Sequence, residues 1–169
     1  GKTIAFTSST WSDKYYVKGD VWVVPAGGGK YRDLTRGQTA SYCWIEWSED
    51  SRKILVAGSI RSGTGISEID IASGRNKYLW YKDCNMAEDN YSGFSSDKNG
   101  NLAMVLDSWH SPRQVYLAKP TSSGYDVSQM TNLHPQSTEL DIGAIEEVFW
   151  KGANDWDMQG WLLRPPGSP

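Results

Sequence analysis

Short runs in which apolar and polar residues alternate recur along the whole chain, and turn-forming residues separate them. One such run is "ISEIDIA" at 66–72, where Ile66, Ile69 and Ile71 are interleaved with polar residues. Alternation of this kind is typical of half-buried β-strands, because successive side chains point to opposite faces of a sheet. Apolar residues at the three-to-four spacing of an amphipathic helix are scarce by comparison. The pattern therefore predicts an all-β chain.

The predicted strands repeat at a fixed period. A turn followed by an apolar strand occurs at 1–9, 50–59 and 97–108, and aligning Ile4, Ile54 and Leu102 gives spacings of 50 and 48 residues. A second strand that ends in a small-residue turn follows each time, and aligning its first residues (Val21, Ile66 and Val115) gives spacings of 45 and 49. Such regular self-similarity indicates a repeat architecture.

One complete unit reads "ASYCWIEWS", "KILVAGS", "ISEIDIA" and "RNKYLWYK", which is four short antiparallel strands. Four-stranded units repeated around an axis form a β-propeller. The sequence therefore predicts a partial β-propeller of about three four-stranded antiparallel blades, the first of them truncated. An aromatic-Ser pair precedes the turn in two of the copies, as Trp47-Ser48 and Phe94-Ser95. A β-sandwich and a single large barrel are the alternatives, but neither explains why the same aromatic-Ser pair and the same turn recur at one period. A propeller closes with typically about four to eight blades, so we expect part of a ring.

Composition narrows the possible partners. The 17 basic and 20 acidic residues are scattered and give a net charge of −3, so no basic stripe indicates nucleic acid. No apolar run approaches the roughly 18 residues that suggest a membrane span, and the compartment stays open. Cys43 and Cys84 lie 41 residues apart, a spacing that fits no zinc site. Two buried thiols or one disulfide bridge remain the alternatives, and we expect no metal and no cofactor.

Residues that could carry catalysis are interpreted more simply as structural. Gly65-Ile66-Ser67 resembles the start of a nucleophile turn, but it lacks the second Gly and lies inside a strand. Gly27-Gly28-Gly29-Lys30 lacks the Ser or Thr of a phosphate loop and is expected to be a hairpin turn. The histidines, His110 and His134, are expected in solvated loops. Three carboxylate pairs are likewise assigned to solvated strands and turns: Glu68/Asp70, Glu146/Glu147 and Asp155/Asp157.

The chain is rich in aromatic residues, with nine Trp and nine Tyr. Aromatic side chains can stack against sugars or bases, but they also pack well on pleated sheets. Because most of the Trp positions recur with the strands, we expect them to belong to the core. The candidates for a stacking surface are Trp11, Tyr15, Tyr16, Trp80 and Tyr81.

The repeats and the last segment together resemble the prolyl oligopeptidase family of serine peptidases, in particular its acylaminoacyl-peptidase and dipeptidyl-peptidase branches. The repeats "VWVVPAGGGKYRDLT", "WSEDSRKILVAGS" and "SPRQVYLAKPTSSGYDVSQMT" resemble the propeller of these enzymes. The segment "IEEVFWKGANDWDMQGWLLRPPG" at 145–167 is more specific. It resembles the crossing from the last blade into the α/β-hydrolase domain, where a G-W-L-x-x-P-P strand opens the catalytic sheet.

The resemblance implies two parts, propeller blades over 1–140 and a hinge with the first strands of a hydrolase domain over 141–169. It implies a non-catalytic cap that gates access of short peptides, with the hydrolase domain of the same parent protein as its partner. No position matches the family's Ser, Asp or His triad, so no catalytic residue is assigned and the chain alone is expected to be inactive. We also expect self-association through open blade faces. The alternative function is a stand-alone Tol-type or WD-like propeller that binds proteins.

Overall fold

The fold was analysed from a computed structural model that describes residues 1–9, 19–86 and 93–168. These residues form fourteen β-strands and two short 3-10 turns, Pro135–Glu139 and Ala153–Asp155. The strands assemble into antiparallel sheets in chain order, as in the blades of a propeller. The predicted fold class, an all-β partial propeller, is confirmed. None of the helices in the described ranges has the length and apolarity needed to cross a bilayer.

The first blade comprises three described strands in the order β1-β2-β3. Their bounds are β1 (Thr3–Ser8), β2 (Asp20–Pro25) and β3 (Arg32–Asp33). The triple-glycine segment joins β2 to β3 as a turn, and Gly28 and Gly29 have φ values of 85° and 124°. Glycine adopts such positive φ values at no steric cost. The hairpin-turn interpretation of Gly27-Gly28-Gly29-Lys30 is therefore confirmed.

The second blade is a complete four-stranded sheet in the order β4-β5-β6-β7. Its strands are β4 (Ala40–Trp47), β5 (Lys53–Ile60), β6 (Gly63–Asp70) and β7 (Asn76–Lys82). A bulge at Cys43 shifts the register, so that Tyr42 pairs with Gly58 and Trp44 with Ala57. Gly58 has to be a glycine because a Cβ there would meet the backbone carbonyl of Ser41.

The third blade differs from the prediction at its first strand. Two short strands, β8 (Asn85–Met86) and β9 (Ser95–Ser96), both pair with β10 (Leu102–Ser108) and share the first position of the blade. The sheet continues through β11 (Ser111–Pro120) to β12 (Tyr125–Gln129). The repeat predicted one first strand for this blade, ending at the aromatic-Ser pair Phe94-Ser95, but the structure has two strands of two residues each at this position.

Two apolar clusters hold the blades face to face. The first joins Val21 and Val23 of blade one to Ile54 and Val56 of blade two. The second joins the opposite face of blade two to blade three, and its buried members are Ala57, Ile66, Met86, Phe94, Leu102, Met104, Leu106 and Ala118. Blade two is thus covered on both faces, which is the nearest-neighbour stacking of a repeat protein.

The repeat alignment shows which faces lack a neighbour. We call the face of each blade that carries Ile4, Ile54 or Leu102 its front face, and in blades two and three this face packs on the preceding blade. Ile54 and Leu102 are 0% exposed there, whereas the equivalent Ile4 is 51% exposed. Phe6, two residues along the same face, is 37% exposed. The front face of blade one is therefore an uncovered copy of a surface that is buried in the other two blades.

The expectation that the tryptophans belong to the core is wrong for the part of the chain described. The fully buried side chains are mostly aliphatic, together with Tyr42, and no described Trp is among the buried residues. Trp47 and Trp80 only border the two clusters, while Trp156 is 70% exposed. The indole ring is large and is rarely enclosed completely.

The last two strands form a separate hairpin, β13 (Ala144–Lys151) and β14 (Asp157–Arg164), and pair only with each other. The sequence predicted two strands here, at 148–150 and 158–163, and both are present and longer than predicted. The hairpin leaves large apolar side chains uncovered: Phe149 is 70% exposed and Trp150 is 48% exposed. A two-stranded hairpin is only marginally stable by itself.

Candidate functional site

A cleft of about 370 Å³ lies where three connections between strands meet at one end of blades two and three. The connections are the β5–β6 turn, the β7–β8 crossing and the β10–β11 turn. The β13–β14 hairpin closes the fourth side through Ile145 and Trp161. The remaining lining residues are Ser59, Ser62, Gly63, Thr64, Asp83, Cys84, Asn85, Asp107, Ser108, Trp109 and His110. Small-ligand sites in proteins have volumes of roughly 300–1,000 Å³.

Hydrogen bonds fix the connections that form the cleft. The buried Thr64 hydroxyl donates to the backbone carbonyl of Cys84 at 2.9 Å and ties the β5–β6 hairpin to the crossing between blades. The Ser62 and Tyr81 hydroxyls lie 3.3 Å apart at the rim. On the blade-three side, the guanidinium Nε of Arg113 donates to the Asp107 carboxylate at 3.2 Å. Hydrogen bonds on both blade two and blade three therefore fix the shape of the cleft.

The charged groups that line the cleft are acidic. Asp83 and Asp107 are its carboxylates, and no Lys or Arg is among its lining residues within the described ranges. Asp107 is partly shielded by its ion pair with Arg113, whereas Asp83 is exposed and forms no ion pair with any described residue. The rings of Trp109 and Trp161, 43% and 40% exposed, supply the apolar surface. The cleft thus combines negative charge with partly exposed aromatic side chains.

Cys84 also lines the cleft, but as an inert thiol. Burial raises the pKa of the Cys84 thiol to about 11; the Asp107 and Asp83 carboxylates raise it as well, and Lys82 opposes them. A thiol is a nucleophile only as the thiolate, so Cys84 is protonated at neutral pH and does not act as one. Cys84 and Cys43 form no disulfide with each other, and both are half-buried, not fully buried.

The raised pKa predicts slow alkylation of Cys84. In a Cys43→Ser variant, iodoacetamide should modify Cys84 about a hundredfold more slowly at pH 8 in the folded chain than in urea, because the thiolate fraction falls about tenfold for each unit of pKa. The folded-state rate should then rise with pH until about pH 11. Mass spectrometry of quenched samples measures both rates, and equal rates in the folded and unfolded chain would contradict the assignment.

The residues considered for catalysis do not converge on one centre. His110 lies at the cleft, while His134 precedes a 3-10 turn and its backbone carbonyl accepts a hydrogen bond from Ser137 at 2.7 Å. Ser67 is a buried residue of β6 that lies 3.3 Å from the Tyr42 hydroxyl. The strand interpretation of Gly65-Ile66-Ser67 is therefore confirmed. In the described ranges, no group of three His, Cys, Asp or Glu residues could hold a metal ion.

One member of each candidate carboxylate pair forms an ion pair that links neighbouring strands or strand ends. Glu68 accepts from Lys53 at 2.8 Å, across β5 and β6. The other two ion pairs belong to the hairpin and join Arg164 to Glu146 at 3.1 Å and Lys151 to Asp157 at 2.7 Å. These contacts support the interpretation of the carboxylates as structural groups.

The stacking candidates are also dispersed. Trp80 borders the cluster between blades two and three, and Tyr81 is 45% exposed beside Ser62 at the rim of the cleft. Trp11, Tyr15 and Tyr16 lie outside the described residues. Sequence reasoning missed Asp83, Asp107, Trp109 and Trp161 as members of one site. A usable signal existed for the first three, because they lie in or beside connections at the same end of consecutive blades.

Comparison with known proteins identifies a fold but not a family. No protein-family model and no curated protein matches the chain. Two solved structures of the AtxE2 isopeptidase, one a variant with Astexin3-dC4 bound and the other the apo form, are similar to it with a TM-score of 0.68. Sequence identity is 13% and 12%, and each match covers 100% of this chain and 25% of the isopeptidase chain. At this identity the similarity shows the fold alone.

Proposed function

We propose that these residues are the propeller segment of a serine peptidase of the prolyl oligopeptidase type, and that they act as a non-catalytic cap for short peptides. The blades would occupy 1–140, and the β13–β14 hairpin within 141–169 would lead into the α/β-hydrolase domain. The reacting serine would belong to that domain. In this arrangement the propeller restricts which peptides reach the catalytic centre and contributes surface that contacts them.

The observation that carries this proposal is the position of the hairpin. Ile145 of β13 and Trp161 of β14 line the same cleft as the turns of blades two and three. A domain that continues from the hairpin would therefore lie at the end of the blades where the cleft opens. The fold similarity to an isopeptidase supports a peptide as the ligand, since that protein is a peptidase built on a similar fold.

The uncovered surfaces fit the same proposal. Phe149, Trp150 and Trp156 on the hairpin are all more than two-fifths exposed, and the consecutive residues Phe149 and Trp150 point to opposite faces of β13. A catalytic domain docked on one face of the hairpin would bury the side chains on that face. The front face of blade one, with Ile4 and Phe6, would be covered by a preceding blade of the parent propeller in the same way that Ile54 is covered by blade one.

The test is an activity comparison between two proteins. We expect the complete gene product to hydrolyse acyl-aminoacyl or aminoacyl chromogenic substrates and to lose that activity with serine-directed inhibitors. We expect residues 1–169 alone to show no turnover, because they lack a nucleophile turn. If neither protein turns over any substrate, the alternative of a protein-binding propeller is favoured. If residues 1–169 alone are active, the proposal is wrong.

A further inference from the structure

We infer that two copies of the 169-residue chain close into one ring of blades, in which the front face of blade one of each copy packs on the back face of blade three of the other. The back face of a blade is the opposite side of its sheet. This pairing is a property of the chain itself and does not depend on the proposed function. It determines which faces meet and how many chains complete the assembly.

The back face of blade three is, like the front face of blade one, an uncovered copy of a surface that is buried elsewhere in the chain. Val21, Ile66 and Val115 are equivalent positions of the repeat and lie on the back faces of the three blades. Val21 and Ile66 are 0% exposed, whereas Val115 is 37% exposed. Val105 lies directly opposite Val115 across β10 and β11 and therefore shares its face. The chain thus has an open front face at one end and an open back face at the other.

Both contacts between blades inside the chain join a front face to a back face. Ile54 on the front face of blade two packs in one cluster with Val21 on the back face of blade one. Leu102 on the front face of blade three packs in one cluster with Ile66 on the back face of blade two. A second copy brings the remaining back face to the remaining front face, so the new contact joins the same two positions of the repeat. The shape that fits a front face in this fold is therefore a back face, not another front face.

The centre of the open front face is apolar. Ile4 lies opposite Val24 and Phe6 lies opposite Trp22 across β1 and β2, so these four side chains share one face. On the back face of blade three, Leu117 lies two positions from Val115 and so on the same side of β11. A contact between the two faces removes apolar surface from water on both copies, which is favourable roughly in proportion to the area buried.

The number of copies follows from the geometry of a ring. A contact between two different faces is heterologous, so it adds copies without limit unless the ring closes. Each copy supplies three blades within the described ranges, and propellers close with typically about four to eight blades. Two copies supply six blades and satisfy this range, whereas three copies would supply nine. The closed pair covers every front and back face, but a front-to-front dimer would leave the back face of both third blades open.

The experiment uses two charge variants, one for each face. Phe6→Glu blocks the front face and Val115→Glu blocks the back face, at side chains that are each 37% exposed. By light scattering at tens of micromolar, we expect the unsubstituted chain to have twice the mass of one chain. Either variant alone should associate at least about tenfold more weakly, because a charge would have to be desolvated in both contacts of the pair. A one-to-one mixture of the two variants should regain association, since each mixed pair keeps one contact without a charge.

Ser123→Glu, in the exposed β11–β12 turn, is the matched control and should form the same dimer as the unsubstituted chain. Undiminished association of Val115→Glu would indicate front-to-front pairing and overturn the inference. A mass that rises beyond two chains with concentration, a mixture that stays monomeric, or a monomeric unsubstituted chain would also overturn it. Urea denaturation checks that each variant folds, and Ile4→Glu and Ala103→Glu are the second variants for the front and back faces. The proposed function is judged separately, by turnover in the complete gene product.

Discussion

Replacing Ile54 with alanine is expected to lower the free energy of unfolding by about 2–5 kcal/mol, whereas the same change at Ile4 should cost about 1 kcal/mol or less. The two residues occupy equivalent positions in successive repeats. Ile54 is 0% exposed between blades one and two, but Ile4 is 51% exposed on the front face of blade one. Truncating Ile54 therefore leaves a cavity, while truncating Ile4 removes contacts that are half solvated already.

Urea denaturation followed by Trp fluorescence measures both costs, at protein concentrations low enough to keep the chain monomeric. A matched decrease for Leu102→Ala, the third equivalent position and also 0% exposed, would extend the result to blade three. If Ile4→Ala and Ile54→Ala cost the same at low concentration, the front face of blade one is covered, and the assignment of open and closed faces is wrong.

The second large effect concerns association. We propose that the isolated chain self-associates through its open blade faces, since Ile4 and Phe6 at one end and Val115 at the other are each more than a third exposed. At about 25 cal/mol per Å² of apolar surface, a few hundred Å² left open amounts to several kcal/mol, which is comparable to the whole stability of a small domain. Pairing of these faces between chains would recover much of this free energy.

Light scattering on the 169-residue chain should therefore give a mass above that of the monomer at tens of micromolar. Phe6→Glu places a charge on the front face of blade one and should weaken association at least about tenfold, because the charge would have to be desolvated in the contact. Ser123→Glu adds the same charge in the exposed β11–β12 turn and should leave association unchanged. A stable monomer of the unsubstituted chain in this range would rule out the association.

The strands and their repeat could be predicted because both are local properties. β5 contains a continuous apolar run, β6 alternates in "ISEIDIA", and small-residue turns separate the strands, so blade two follows directly from its sequence. Phe94-Ser95 did not predict the divided first strand of blade three, because β8 and β9 contain two residues each. Strands of that length have no periodicity to detect.

The cleft and the exposure of the tryptophans could not be predicted in the same way. Asp83, Trp109 and Trp161 are separated by up to 78 positions and meet only because two blades and the hairpin bring their ends together. The burial of an aromatic ring depends on whether a neighbouring surface covers it. Trp156 is a large aromatic residue of the kind that often packs in a core. It lies on the hairpin, however, where no described residue covers it.

The most direct test of the account is to label the complete gene product with a fluorophosphonate and to locate the modified residue by peptide mass mapping. Fluorophosphonates react with the activated serine of a serine hydrolase, whose nucleophile turn has the form G-x-S-x-G. We predict a single labelled serine outside residues 1–169, and no labelling of the 169-residue chain by itself. A labelled serine within residues 1–169, or no labelled serine in the complete product, would contradict the assignment of this propeller to a serine peptidase.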